Sequence, residues 1–123
     1  MVDKKYCLNY LRGLLKSLSC DSSTQQQMVP KELAWNISSD IANEWDYENI
    51  KFFVENLLEC NLISIDIEES IKTICNNFDE VSLNGVKFDQ TIWTTEGFAH
   101  HPFWENQRKL AKYVLNELDK IKL

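Results

Sequence analysis

"HPFWENQRKLAKYVLNELDKI", residues 101 to 121, is the stretch whose reading decides the fold. Phe103, Gln107, Leu110, Ala111, Val114, Leu118 and Ile121 recur at helical spacing, the pattern of one stripe on an α-helix. Pro102 falls in the first turn, where its missing N–H has no intrahelical acceptor to lose, and His101 precedes it. A segment this long with a 3.6-residue period cannot be a strand. It predicts a long helix that runs toward the C-terminus.

The same period recurs upstream. Residues 3–19 place Cys7, Leu11, Leu14, Leu15 and Leu18 on one stripe. "CDSSTQQQMVP", residues 20 to 30, reads as a polar loop. A second helix is expected from Pro30, with Ala34, Ile37, Ile41 and Trp45 inward and Asn36, Asp40, Asn43 and Glu44 opposite. Asp46 is placed to cap a third helix, which puts Ile50, Phe53, Val54, Leu57 and Leu58 on one face. Glu48, Phe52, Glu55 and Glu59 fall on another face.

"NLISID" is a connector, and Asp66 with Glu69 suits the cap of a fourth helix that buries Ile67, Ile71, Ile74, Cys75, Phe78 and Val81. The Asn84-Gly85 turn signal admits a small hairpin across "EVSLNGVKF". A short fifth helix is expected from Asp89 to about Glu96, ended by Gly97. Trp93, Phe98, Phe103 and Trp104 would then plug the corner between the fifth helix and the last.

Composition agrees. The chain has 123 residues, 44% hydrophobic, with only three glycines and two prolines. An all-β domain needs a turn every ten residues or so, and the turn formers are lacking. Residues 1–123 therefore predict a single all-α domain, an irregular bundle of five to six helices.

The first eighteen residues lack the continuous apolar core of a signal peptide, and no long apolar run is available to span a membrane. The chain is expected in the cytoplasm, without membrane contact. There the four cysteines, at 7, 20, 60 and 75 and never in CxxC spacing, read as buried free thiols.

Charge is unevenly spread. Residues 32–96 carry fourteen acidic and three basic side chains, a net of −11, whereas residues 1–31 carry +3 and residues 97–123 carry +2. Nucleic-acid binding needs lysine and arginine to displace counterions, so the middle of this chain argues against a direct nucleic-acid partner.

Catalytic motifs are scarce. The glycines at 13, 85 and 97 cannot form a phosphate loop, no GxSxG elbow occurs, and no cofactor is implied. His100 and His101 are adjacent, whereas a helical zinc pair stands four residues apart, so no metal site is expected. An enzyme, for example a small hydrolase, would have to use this histidine corner with Glu96 or Glu105 orienting the base. The simpler expectation is that one histidine helps to cap the last helix while its neighbour packs among aromatics.

The acidic helices are the better candidate. Phe52 falls among Glu48, Glu55 and Glu59, where a merely solubilising face has no use for an aromatic ring. An aromatic anchor with a carboxylate rim has the composition of a protein interface, and the alternative is that Phe52 is buried against a neighbouring helix that flanks this one on a second side. Asp40, Glu44, Glu48, Phe52, Glu55, Glu59, Glu68 and Glu69 are the candidate partner-binding residues. An acidic DNA mimic is the other binding reading, although apolar residues interrupt its carboxylates.

The tail "IWTTEGFAHHPFWENQRKLAKYVLNEL", together with the small, acidic, helical character, resembles immunity proteins of bacterial contact-dependent growth inhibition and other polymorphic toxin systems. That resemblance implies a protein that binds a cognate toxin domain, often a basic nuclease, and neutralises it. It carries over no individual binding residue.

Overall fold

Each of the four long helices starts at a side chain that satisfies a backbone N–H left free by the helix geometry. In the computed structural model, which describes residues 3–27, 37–82 and 84–122, Asp3 Oδ1 accepts from the N–H of Lys5 at 2.8 Å and opens α1, Lys4–Ser19. Asp46 accepts from Glu48 at 3.1 Å and opens α4, Tyr47–Glu59. Ser64 Oγ accepts from Ile67 at 3.2 Å and opens α5, Ile65–Val81. His101 Nδ1 accepts from Phe103 at 3.0 Å and opens α7, Pro102–Asp119. Such caps stabilise a helix by typically ~1 kcal/mol each.

Short elements complete the chain: α2, Ser22–Gln27; α3, Ile37–Asn43; a single 3₁₀ turn, Gln90–Trp93; and α6, Thr95–His100. No strand occurs among the described residues, and the fold is an all-α bundle. α1 packs most extensively on α7 and next on α4, while α5 bridges α7 and α4. Leucines 8, 11, 15 and 18 of α1, Ile50, Val54 and Leu57 of α4, Ile71 and Ile74 of α5, and Ala111, Val114 and Leu118 of α7 share one continuous core.

Two polar side chains lock α7 in place. Buried Gln107 donates from Nε2 to the carbonyl of Ile74 at 3.0 Å and accepts from Asn77 at 2.9 Å, joining α5 to α7. Arg12 donates to the carbonyls of Leu118 and Ile121 at 2.8 and 3.0 Å, and stands 3.3 Å from Asp119. It thereby satisfies carbonyls that the end of α7 leaves open.

α4 ends in a Schellman turn. Asn61 takes a left-handed φ of 59°, Leu62 N–H donates to the Leu57 carbonyl and Asn61 N–H to that of Leu58. Asparagine tolerates this conformation better than other side chains, which is why the chain can reverse here without glycine.

Several expectations need correction. Residues 22–27, read as loop, form α2: Asp21 accepts from Thr24 N–H at 2.7 Å, and buried Gln25 donates to the carbonyls of Ser17 and Leu18. The cap of α5 is Ser64 and not Asp66, because Ser64 is the residue in extended conformation before the first turn. The small hairpin admitted for "EVSLNGVKF" does not form among its described residues. Lys87 N–H donates back to the Glu80 carbonyl, and a Cβ on Gly85 would strike the carbonyls of Glu80 and Asp79.

Gly97 does not end the fifth helix. It lies inside α6, pressed against the Thr91 carbonyl so closely that no Cβ fits. The 3₁₀ turn capped by Asp89 and the helix capped by Thr94 replace the single short helix. Cys7 and Cys75 are buried free thiols as expected, but Cys20 is only half-buried and Cys60 is exposed, because they are the C-caps of α1 and α4 and lie beyond the buried stripes. The expected start of the second helix at Pro30, with Ala34, lies outside the described residues. Ile41 and Trp45 of its stripe are buried.

Candidate functional site

The outer side of α4 is built by its own periodicity. With Ile50, Val54 and Leu57 buried, Glu48, Phe52, Glu55 and Glu59 point away from the core and are exposed. Phe52 is 51% exposed, a large value for a phenylalanine, and meets Phe53 edge-on with ring centroids 5.5 Å apart.

Phe53 in turn stacks on Tyr10 of α1 at 4.2 Å and lies 6.0 Å from Tyr6. Tyr6 is 59% exposed and Tyr10 38%. Four aromatic rings therefore form a ridge across α1 and α4, three of them open to solvent. The two tyrosines escape a reading that follows the leucine stripe of α1. Their signal is a spacing of four just off that stripe.

On the other side of α4, half-buried Tyr47 gathers carboxylates. Desolvation, then Glu68, Glu55, the Cys75 thiol and Glu48, push its phenol up from the ordinary value, which places those three glutamates within electrostatic reach of one ring. Lys72 lies 5.4 Å from the Tyr47 ring centre and 3.8 Å from Glu68. Lys51 pairs with Glu48 at 3.3 Å. Two of the seven candidate carboxylates thus carry a local counter-charge.

Asp40 of α3 and Glu44 just after it form a separate couple. Glu44 is raised, first by desolvation and then by Asp40. No hydrogen bond or ion pair among the described residues ties them to α4. Glu59 and Glu69 are exposed. The structure thus groups Glu48, Phe52, Glu55 and Glu59 on one helix, brings Glu68 up to them through Tyr47, and leaves Asp40 and Glu44 as an outlying pair.

The aromatic corner has the geometry of a plug. Trp104 is fully buried and meets Phe98 at 4.8 Å, Phe78 at 5.4 Å, Phe103 at 5.6 Å and Trp93 at 6.0 Å. Arg108 lies over the Phe98 ring at 4.9 Å, and donates to the Phe98 carbonyl at 2.7 Å and to Gln25 at 3.0 Å. Desolvation lowers its guanidinium from the ordinary value, opposed by Asp21 and Glu105. Arg108, unremarked in the sequence, is the tie that holds α2 on α6 and α7.

His100 is exposed. His101 spends Nδ1 on the cap of α7, and its Nε2 stands 3.6 Å from Asp89. The carboxylate facing it is therefore Asp89, not Glu96 or Glu105. Asp89 also accepts from the Thr91 hydroxyl and N–H, bonds that hold its carboxyl below the usual range ahead of any effect of His101. Neither histidine lines the cavity of about 520 Å³ between α3, α5 and residues 84–93.

Among the described residues no group of three or more histidine, cysteine, aspartate or glutamate side chains is arranged to hold a metal ion. No helix among them is long and apolar enough to cross a membrane. Comparisons with protein-family models, with curated proteins and with solved structures gave no match for this chain.

Proposed function

We propose that the chain is an immunity protein that binds and neutralises a cognate basic toxin domain, of nuclease type, through the outer face of α4 and the neighbouring carboxylates of α5, with Asp40 and Glu44 as an outlying acidic pair. The observation that carries this reading is Phe52, half open to water among exposed Glu48, Glu55 and Glu59. An exposed aromatic ring costs solvation in the free protein and gains it back when a partner covers it. The resemblance of the C-terminal tail to toxin-immunity proteins supports the same conclusion.

The chemistry is that of competition for a nuclease's substrate surface. A basic groove made for phosphates attracts the carboxylates at long range, and apolar contacts at Phe52 then slow dissociation. The ion pairs at Lys51 and Lys72 break the run of negative charge that a phosphate mimic needs, which favours a dedicated partner over a general DNA mimic.

Growth of cells that express a toxin domain encoded beside this chain tests the proposal. Co-expression of the wild-type chain is expected to restore growth. Phe52→Ala is expected to fold normally and to weaken binding by roughly 30-fold, the effect of losing a hot spot of ~2 kcal/mol. Failure of the wild-type chain to restore growth or to form a complex with that domain would contradict the proposal.

A further inference from the structure

A cavity of about 520 Å³ opens between α3, the turn that leads to the Asp46 cap of α4, and the end of α5, and Phe88, Gln90 and Trp93 close its far side. That volume falls in the range of sites for small organic ligands, roughly 300–1,000 Å³. Its walls are aromatic: Trp45 and Phe78 are buried, Trp93 is half-buried, and Phe88 is 42% exposed at the edge. The walls are also held in place. Trp93 Nε1–H donates to the Val81 carbonyl at 2.9 Å, and the Ser38 hydroxyl donates to the Trp93 carbonyl at 3.3 Å.

Among the described lining residues, Asp46 and Asp79 are the charged groups, and Ser39, Asn43, Ser82 and Gln90 are neutral polar ones. Asp46 uses Oδ1 to cap α4, which leaves its second oxygen for a ligand. Asp79 has no side-chain hydrogen bond or ion pair among the described residues. The C-terminal end of α5, at Val81, adds the negative pole of a helix dipole. Both aspartates are exposed, so an anion is repelled here, whereas a cation is attracted and a neutral ligand gains nothing from the carboxylates. Among the described residues no third histidine, cysteine, aspartate or glutamate joins these two carboxylates to hold a metal ion.

We infer that this cavity binds a small arylalkylamine, a flat apolar ring carrying a primary ammonium group. The ring lies among Trp45, Phe78, Trp93 and Phe88, and the ammonium faces Asp46 and Asp79. Aromatic walls add a cation–π contribution to the same ligand class. The site shares no residue with the proposed toxin-binding face, so the two readings stand or fall separately.

Tryptamine is the probe, titrated into the full chain while the indole N–H resonances of Trp45 and Trp93 are followed by NMR. The expected result is a saturable shift confined to cavity residues. The neutral analogue tryptophol is expected to bind roughly tenfold more weakly, and indole-3-acetate not at all, because a hydrogen bond to a charged group is worth about that factor. Asp46→Asn with Asp79→Asn should also weaken tryptamine at least roughly tenfold while the chain stays folded, since asparagine caps a helix as well as aspartate. Absence of a saturable shift, equal binding of tryptophol, or undiminished binding by the folded double variant would each overturn the inference.

Discussion

The indole N–H of Trp104 donates to the backbone carbonyl of Ile92 at 2.9 Å, tying the last helix to the 3₁₀ turn that precedes it by twelve residues. Both residues are buried, so this carbonyl has no access to water. Trp104→Phe keeps the ring packing but orphans the Ile92 carbonyl. It is expected to cost about 1–3 kcal/mol by urea denaturation. Trp104→Ala, which also empties the centre of the plug, should cost about 3–5 kcal/mol. Near-equal stability of the phenylalanine variant and the wild type would show that the hydrogen bond contributes nothing.

Gly97 and Gly13 both lie within helices yet should respond oppositely to alanine. Gly13 is exposed, with nothing near the place a Cβ would occupy. Gly13→Ala should stabilise the protein by about 0.5–1 kcal/mol through helix propensity. At Gly97 the Cβ would run into the Thr91 carbonyl. Gly97→Ala should therefore lower stability, by about 1–3 kcal/mol, despite the same gain in propensity. Thermal unfolding of the two variants checks the contrast in sign.

Cys75 supplies a pH dependence. Burial, with smaller contributions from Asp79 and Asp46, pushes its thiol up from 9.0 to about 12. Below pH 9 the folded and unfolded states both hold the proton, and its contribution to stability is intact. Between about 9 and 12 only the unfolded chain loses the proton, so stability falls as pH rises, by up to about 1.4 kcal/mol per pH unit. Denaturation at about pH 8 and pH 10.5 should therefore show a larger loss for wild type than for Cys75→Ala. An identical loss in both would refute this account.

His101 is assigned a structural role that its replacements can test. Because Nδ1 caps α7, His101→Asn should preserve most of the stability and His101→Ala should cost about 1 kcal/mol. Denaturation midpoints of the two variants distinguish them. If toxin neutralisation is lost in a folded His100→Ala, His101→Ala double variant, the histidine corner has a role beyond the cap.

Much of the bundle was legible because α1, α4, α5 and α7 carry uninterrupted apolar stripes, and a stripe needs only local sequence to be recognised. Asp46, Pro102 and the aromatic plug around Trp104 were legible for the same reason. α2 was not. Its serine, threonine and glutamine residues have weak helix propensity, and Gln25 is fixed by Arg108, 83 positions away. The glycine rule failed at Gly97 because close approach to Thr91, rather than a helix end, requires glycine there. At the candidate surface, the exposure of Phe52 depends on which helix flanks α4. The sequence could not say that Tyr6 and Tyr10 would join it, since the stacking of Tyr10 on Phe53 is a tertiary contact.

The claim that the acidic face of α4 recruits a basic toxin domain is tested most directly by stopped-flow association between the two proteins. Glu55→Lys with Glu59→Lys reverses two exposed charges on the face without touching the core. At low salt the association rate is expected to fall at least about tenfold, and its dependence on ionic strength to flatten, because steering rests on these charges. An association rate and salt dependence equal to those of the wild-type chain would contradict the account.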